Sequence, residues 1–252
     1  MTQLWLLLAG AAASVVNAAA GGGTLISFPA LLSAGLSPLQ ANATSAVALQ
    51  AGLLVSVWAY RDALLPMRVE VRRLLPPCIA GGSLGALLAL RLGARVFALV
   101  APALLAAGAL LLLLQPAITR LLARRVPLHE SPAAFTLGIL ALAIYGGYFG
   151  AGGGILFLAA LALLLPRPFD QLNALKVLAL PASNGVGALT FVALEVARPT
   201  GVVVWSAVPV LALGAFAGGL AGVRLARRLP ATALRVLSGV LGLAMAAYIV
   251  LQ

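Results

Sequence analysis

The stretch LWLLLAGAAASVVNAAAGGGTLISFPALLSA, residues 4–34, decides the fold class of this chain. It contains no charged side chain and is longer than the roughly 20 residues that cross a ~30 Å hydrocarbon core as one helix. Gly21, Gly22 and Gly23 interrupt it near the middle, and glycine permits the backbone geometry that a helix break needs. The stretch therefore predicts two apolar helical pieces that meet at a glycine break within a membrane.

The rest of the chain continues this apolar pattern. Of its 252 residues, 63% are hydrophobic and 8% are charged, whereas soluble domains average about 45–50% and about 25%. Backbone groups in lipid are satisfied only in helices or closed barrels, and long continuous stretches differ from the ~10-residue alternating strands of a barrel. We therefore predict an all-α integral membrane protein. The other apolar stretches are residues 41–60, 74–92, 95–118, 133–165, 171–194, 201–226 and 232–251.

The fifth stretch, residues 133–165, repeats the unusual features of the first. It is too long for one simple crossing, and a second glycine-rich run interrupts it. Gly21–Gly23 aligns with Gly152–Gly154 at a displacement of 131 residues. Asn42 aligns with Asn173 at the same displacement. These matches predict an internal duplication.

A third match follows in the same order along the chain. Gly81-Gly82-Ser83-Leu84-Gly85 resembles Gly218-Gly219-Leu220-Ala221-Gly222. The polar residues between the fourth and fifth stretches mark the joint of the duplication. We expect a first transmembrane repeat at residues 1–126 and a second at residues 127–252.

The sixteen basic residues indicate how the two long stretches cross the membrane. With eight single crossings, these residues divide equally between the two faces. If residues 4–34 and 133–165 are instead re-entrant hairpins, only Arg91, Arg95 and Arg198 lie on one face and thirteen basic residues lie on the other. The thirteen are Arg61, Arg68, Arg72, Arg73, Arg120, Arg124, Arg125, Arg167, Lys176, Arg224, Arg227, Arg228 and Arg235.

Cytoplasmic loops carry an excess of Lys and Arg, so this bias favours the hairpins. Each repeat then has three full transmembrane helices and one glycine-broken re-entrant segment. Because three crossings are an odd number, the repeats are inverted. We expect a multi-pass protein of the cell (inner) membrane with both termini on the non-cytoplasmic side. Broken full spans are the alternative for the two long stretches.

The glycine breaks are also the predicted solute site. In transporters with inverted repeats, half-helices meet near the middle of the membrane, and their N-terminal amides attract anions. Polar side chains in equivalent segments would complete such a site. The candidate residues are Asn17, Gly21, Gly22, Gly23, Asn42, Thr44, Ser45, Gly152, Gly153, Gly154, Asn173 and Lys176.

Several of these polar residues have other interpretations. Lys176 suits an anionic solute because charges inside a span are costly and usually functional, but its side chain could also extend to the membrane interface. Asn42 and Asn173 could instead cap the helices that they open. Ser183 and Asn184, deep in the sixth stretch, are typical of polar groups that line a cavity.

The sequence argues against most other chemistry. Cys78 is its only cysteine and His129 its only histidine, which argues against a disulfide, a histidine metal site and a Ser-His-Asp triad. Neither glycine run is followed by the Lys-Ser/Thr of a nucleotide-binding loop. We expect no enzyme activity, cofactor, metal or nucleic-acid partner, and leave a homo-oligomer open. An accessory membrane subunit or an intramembrane enzyme is the alternative function.

These motifs, taken in order, resemble the TauE/SafE sulfite exporter family. The first-half residues are Asn17-Ala18-Ala19-Ala20-Gly21-Gly22-Gly23, Phe28-Pro29-Ala30-Leu31, Gly35 and Asn42-Ala43-Thr44-Ser45. The second-half residues are Gly147-Tyr148-Phe149-Gly150-Ala151-Gly152-Gly153-Gly154 and Asn173-Ala174-Leu175-Lys176. One departure is Leu165-Pro166-Arg167-Pro168, which stands where the first half has Ala34-Gly35-Leu36-Ser37.

The resemblance extends over essentially the whole chain. It implies a membrane permease for sulfite, sulfoacetate, other organosulfonates or related sulfur anions. We therefore expect a secondary transporter in a lipid bilayer that moves a small anion by alternating access between the repeats.

Overall fold

The computed structural model describes residues 2–19, 21–123, 131–225 and 231–251. The regular elements within these ranges are all helices, as predicted. They are α1 (Thr2–Ala19), α2 (Thr24–Ser33), α3 (Pro38–Ala59), α4 (Arg61–Leu64), a 3-10 turn (Leu65–Met67), α5 (Arg68–Ala123), α6 (Pro132–Tyr148), α7 (Gly153–Leu164), α8 (Phe169–Ala197), α9 (Val208–Leu225) and α10 (Ala231–Leu251). The expected repeat boundary, His129, Arg124, Arg125, Arg227, Arg228 and the side chain of Arg224 lie outside the described parts.

The length and composition of the helices suit a membrane. In the described ranges, four helical segments are long and apolar enough to cross one: Pro38–Ala59, Arg61–Leu122, Phe169–Ala197 and Thr232–Leu251. Many large apolar side chains point outward; Leu99 is 80% exposed and Leu189 is 66% exposed. Such a surface is costly in water and favourable in lipid, so these helices fit a multi-pass membrane protein.

Helix α5 changes direction at Gly93. The backbone there has φ 76° and ψ 173°, which glycine adopts far more readily than other residues. Gly85 lies against the backbone of Tyr148, and the ring of Phe97 lies 5.4 Å from the ring of Tyr148. A straight helix would separate Gly85 and Phe97 by about 18 Å, so the chain turns back between them. This agrees with the separate apolar stretches 74–92 and 95–118.

The two glycine-interrupted stretches also fold back. The indole N–H of Trp5, near the start of α1, donates a hydrogen bond to Ser33 Oγ at the end of α2, over 3.2 Å. A methyl group added at Gly138 in α6 would lie 3.6 Å from the side chain of Leu164 at the end of α7. Helices that continued in one direction would hold these residues tens of ångströms apart. Therefore α2 runs back along α1, and α7 runs back along α6.

Helices α3 and α8 run antiparallel to each other. The hydroxyl of Tyr60, which follows α3, accepts a hydrogen bond from Asn173 Nδ2 near the start of α8, over 3.2 Å. At the opposite end, Gln40 Nε2 at the start of α3 donates to the carbonyl oxygen of Gly201, beyond the end of α8, over 2.9 Å. These two contacts fix the relative direction of the helices.

The apolar stretch 201–226 is helical only from Val208. Residues 198–207 form an irregular link between α8 and α9. Glu195, in the last turn of α8, binds the first part of this link. Its carboxylate accepts hydrogen bonds from Thr200 Oγ1 at 2.8 Å, the Gly201 amide at 2.8 Å and the Val202 amide at 3.0 Å. A carboxylate satisfied by nearby amides offers the backbone an alternative to a helix.

Candidate solute site

The two glycine breaks lie in direct contact. The Gly154 amide donates to the carbonyl oxygen of Gly21 over 3.3 Å. A methyl group added at Gly21 would lie 2.5 Å from the Gly154 Cα, closer than any side chain tolerates. Gly21 also has φ 77°, so two independent constraints favour glycine there. The breaks that the sequence aligns are therefore also neighbours in space.

The amides expected to contact an anion are those of Gly22, Gly23, Gly153 and Gly154, and three of these four donate hydrogen bonds within the protein. The Gly23 amide donates to Asn17 Oδ1 at 2.7 Å. The Gly153 amide donates to the Gly150 carbonyl oxygen at 3.1 Å, and the Gly154 amide donates to Gly21 as described above. Asn17 thus satisfies the N-terminus of α2 from the preceding helix. Gly22 lies against the side chain of Leu112, and Gly152 has φ 69° at the start of α7.

A small polar cavity lies beside these breaks. Its volume is about 20 Å³, which is room for about one water molecule. Six neutral polar side chains line it: Asn17, Thr24, Asn42, Ser45, Gln50 and Asn184. The remaining lining residues are Ala46, Leu49, Leu53, Gly146, Gly147 and Phe149. The cavity can accept and donate hydrogen bonds, but a multi-atom anion requires it to widen.

Hydrogen bonds orient most of these polar groups. Asn42 Nδ2 donates to the carbonyl oxygen of Tyr148 over 2.9 Å. The hydroxyls of Ser45 and Ser27 lie 2.6 Å apart. Asn184 differs, because its buried Oδ1 has no hydrogen-bond partner among the described residues. Buried polar atoms without a partner are uncommon, so Asn184 offers an acceptor for a bound water or for a donor on a solute.

Other predicted residues lie elsewhere. Thr44 Oγ1 accepts a hydrogen bond from the Val204 amide over 3.0 Å, so it holds the irregular link after α8. Asn173 and Lys176 are absent from the cavity lining. Asn42 and Asn173 each lie about one turn into helices that run antiparallel, so they lie towards opposite ends of the fold. The structure therefore brings Asn17, Asn42 and Ser45 together and separates them from Asn173 and Lys176.

Lys176 has an unusual environment. Its side chain is 1% exposed. Within the part of the chain that the structure describes, its ammonium group has neither a hydrogen-bond partner nor an ion-pair partner. It lies in α8, whose adjacent residues Leu172, Leu175 and Leu180 belong to a buried apolar cluster.

The sequence interpretation missed two residues that line the cavity, Thr24 and Gln50. Gln50 is a polar residue inside the apolar stretch 41–60. A polar side chain in such a stretch is a sufficient signal to identify it as a candidate. Its Nε2 donates to the carbonyl oxygen of Ala46 over 3.0 Å. Thr24 follows the glycine run directly and carries no separate signal. Of the two residues suggested for a cavity, Asn184 lines it, whereas Ser183 Oγ donates to the Ala179 carbonyl oxygen at 2.9 Å.

Contacts between the two halves hold both ends of the molecule. At one end, the guanidinium of Arg167 forms an ion pair with the carboxylate of Glu70. At the other end, Gln40 contacts Gly201 and Thr44 contacts Val204. The cavity therefore lies in a molecule that is held together at each end.

Comparisons with known proteins match the sequence of this chain to membrane transporters. The family model described as "Sulfite exporter TauE/SafE" matches residues 6–249. A probable membrane transporter protein of Sinorhizobium sp, ORF9, is 31% identical over 249 residues, which cover 96% of this chain and 90% of that protein.

Two further relatives carry similar names. The probable membrane transporter protein YfcA of Escherichia coli (strain K12) is 28% identical over 214 residues, which cover 84% of this chain and 76% of that protein. A probable membrane transporter protein of Haemophilus influenzae is 31% identical over 164 residues, covering 63% and 62% respectively. No solved structure matches the chain. The chain therefore belongs to the TauE/SafE family and is a membrane transporter.

Proposed function

We propose that the protein is a secondary transporter for a small anion, namely sulfite or a related sulfur oxyanion or organosulfonate. Transport proceeds by alternating access between two inverted repeats, residues 1–126 and 127–252. The observation that carries the proposal is the burial of Lys176 without a counter-charge among the described residues.

A buried cation needs compensation. Removing one charge from water costs on the order of several kcal/mol unless an opposite charge lies beside it. The ion pairs found in the described residues are Arg61–Asp62 and Glu70–Arg167, and neither includes Lys176. A bound anion beside Lys176 would supply the missing charge, whereas a cationic solute would raise the cost.

The position of Lys176 suggests a path for the anion. It lies seven residues after the start of α8, about 10 Å along the helix axis, and Asn184 lies about 12 Å further. An anion that enters from the end where α8 begins reaches Lys176 before the neutral cavity at Asn184. We infer that Lys176 attracts the anion and that Asn17, Asn42, Ser45 and Asn184 bind it after the cavity widens.

The antiparallel helices α3 and α8 support the inverted repeats. The displacement of 131 residues that aligns the two halves also pairs Pro38, at the start of α3, with Phe169, at the start of α8. Equivalent helices that point in opposite directions are what an inversion requires. Equivalent contacts recur as well. Gly82 lies against the backbone of Ser183, and Gly219 lies against the backbone of Gly52; Gly52 and Ser183 are 131 residues apart.

The contacts at the two ends support the re-entrant hairpins. If all eight apolar stretches crossed once, Glu70 and Arg167 would lie on opposite faces of the membrane, and so would Gln40 and Gly201. Hairpins at residues 4–34 and 133–165 allow both contacts. The hairpins also place most of the basic residues on one side of the membrane. That side is then the cytoplasmic one, and both termini lie on the opposite side.

The same contacts are the proposed gates. Access from the face that carries Glu70 requires separation of Glu70 from Arg167. Access from the other face requires separation of Gln40 from Gly201 and of Thr44 from Val204. Both sets of contacts are formed, and the cavity between them holds about one water molecule. The structure therefore resembles an occluded state of the transport cycle.

Flux through proteoliposomes tests this function. We expect saturable uptake of labelled sulfite in vesicles that contain the protein, with sulfate and small sulfonates as competitors that rank the substrate class. Lys176→Met should remove most of this flux without lowering the melting temperature, because it replaces a buried charge with an apolar side chain of similar length. Arg73→Gln, at an exposed basic residue, is the matched control and should keep the flux.

Two outcomes would refute the proposal. Absence of protein-dependent flux for each of these anions would exclude the substrate class. Full flux in a folded Lys176→Met variant would exclude Lys176 as the anion's partner.

A further inference from the structure

A groove lies where the end of α3, helix α4, the start of α5 and the side of α8 meet. Its volume is about 310 Å³. Apolar side chains form its walls: Val57, Leu64, Leu65, Val71 and Leu178. Three arginines complete the lining: Arg61, Arg68 and Arg72. The groove is separate from the polar cavity, with which it shares no lining residue.

Two of the three arginines have no counter-charge within the described ranges. Arg68 and Arg72 stand one turn apart on the same side of α5, and both are exposed. Neither forms a hydrogen bond or an ion pair with another described residue. A pair of guanidinium groups at this spacing can bind one phosphate group from two sides.

Arg61 is held differently. Its guanidinium lies 4.4 Å from the centre of the Trp58 ring, and its Nη1 donates to the Trp58 carbonyl oxygen over 3.1 Å. The carboxylate of Asp62 lies 3.6 Å from Arg61 Nε. Trp58 is 64% exposed, and exposed tryptophans are typical of the membrane–water interface. The arginines therefore lie at the depth of lipid headgroups.

The combination of charge and apolar wall selects the ligand. A soluble anion would need the arginines but gains nothing from a wall of leucine and valine side chains. A zwitterionic lipid would gain from the wall but brings no net negative charge. An anionic phospholipid satisfies both features, with its phosphate at the arginines and an acyl chain along the wall.

We propose that this groove is a binding site for an anionic phospholipid. The phosphate group lies between Arg68 and Arg72, and one acyl chain lies against Leu64, Leu65 and Leu178. The proposal does not depend on which solute the protein transports, because it assigns a lipid ligand to a different surface. Binding alone tests it.

The first experiment compares two labelled lipids. Purified protein in a neutral detergent is titrated with fluorescent phosphatidylglycerol and, separately, with fluorescent phosphatidylcholine. We expect tighter binding of phosphatidylglycerol. An arginine near an anionic headgroup contributes about 5-fold in affinity, so R68Q/R72Q should weaken phosphatidylglycerol binding by about 30-fold. Binding of phosphatidylcholine should change little.

The matched control is R91Q/R95Q, which removes two exposed arginines beside the turn at Gly93. It should leave the preference for phosphatidylglycerol unchanged. The proposal is overturned if R68Q/R72Q keeps the wild-type preference, or if the control loses it equally. It is also overturned if inorganic phosphate displaces the labelled lipid at comparable concentrations, because the groove would then be a site for soluble anions.

A second variant keeps the arginines and changes the wall. Leu65 is 57% exposed, so Leu65→Glu should fold normally while it places a carboxylate beside the arginines. We expect it to weaken phosphatidylglycerol binding about as much as R68Q/R72Q does. Leu4→Glu, at another exposed leucine (62% exposed), should have no effect. Unchanged binding in Leu65→Glu would contradict an acyl chain in this groove.

Discussion

Arg167 and Glu70 form an ion pair between side chains that are 97 residues apart in sequence. The Glu70 side chain is only 10% exposed, whereas that of Arg167 is 43% exposed. Arg167 belongs to the segment Leu165–Pro168, the place where the two halves of the sequence differ most clearly. The second half therefore has a charged residue, Arg167, where its sequence departs from that of the first half. This charge forms an ion pair with Glu70 of the first half.

The ion pair predicts unequal effects of its two neutralised variants. Arg167→Gln leaves a nearly buried carboxylate without its partner and should cost about 1–3 kcal/mol of stability. Glu70→Gln leaves a solvated guanidinium and should cost less. The double variant should cost less than the two single costs added together, because the partners interact. Thermal unfolding in detergent measures all three, with exposed Arg198→Gln as the control; strictly additive effects would show that the pair contributes nothing.

The contact between the glycine breaks predicts a sharp difference between neighbouring positions. A methyl group at Gly154 would lie 2.5 Å from Gly21 Cα, whereas one at Gly153 would lie 3.8 Å from its nearest neighbour, a methyl group of Leu180. Gly154→Ala should therefore separate the breaks and abolish flux. Gly153→Ala should retain flux and stability. The experiment is sulfite flux with a melting curve for each variant, and equal flux in both would rule out a role for this contact.

The unpartnered oxygen of Asn184 predicts a separation of stability from transport. Asn184→Leu removes a buried acceptor that has no partner among the described residues, so the melting temperature should stay the same or rise. Flux should fall at least 10-fold if this oxygen accepts a hydrogen bond from a water that contacts the anion, or from a protonated oxygen of the anion. Ser183→Ala is the neighbouring control, because Ser183 Oγ bonds only within its own helix. A variant at Asn184 that transports normally would remove it from the site.

Glu195 predicts a local effect at one end of the molecule. Its carboxylate accepts three hydrogen bonds from the link after α8, and hydrogen bonds to charged groups contribute about 1.5–3 kcal/mol each. Glu195→Ala should therefore release Gly201 and Val202, and with them the contact to Gln40. Amide hydrogen exchange at Gly201 and Val202 should accelerate, while exchange in α5 should not. Unchanged exchange at those amides would show that the link is held by other contacts.

The membrane class and the positions of the breaks could be predicted because they are local properties. The length of an apolar stretch decides whether a helix suits lipid, and the glycines at Gly21–Gly23 and Gly152–Gly154 mark where helices end. The turn at Gly93 was also visible, since the apolar stretches 74–92 and 95–118 end and begin on either side of it. Asn184 stood out because polar side chains are rare in such stretches, and Gln50 carried the same signal although it was missed.

The composition of the site could not be predicted in the same way. Asn42 and Asn173 occupy equivalent places in the sequence, which suggested one shared site, but α3 and α8 run antiparallel and carry them towards opposite ends. Thr44 stands between residues that line or border the cavity, yet its hydroxyl binds the Val204 amide instead. Which face a helix turns towards the interior depends on its neighbours.

The sequence by itself determined that this is a helical membrane protein with two glycine breaks, because hydropathy and backbone freedom belong to each stretch separately. Only the tertiary structure decided that Gly21 meets Gly154, that Glu70 meets Arg167 and that Lys176 is buried away from the carboxylates of the described residues. Those relationships depend on the packing of helices distant in sequence, and hydrophobicity alone does not encode their rotation or register.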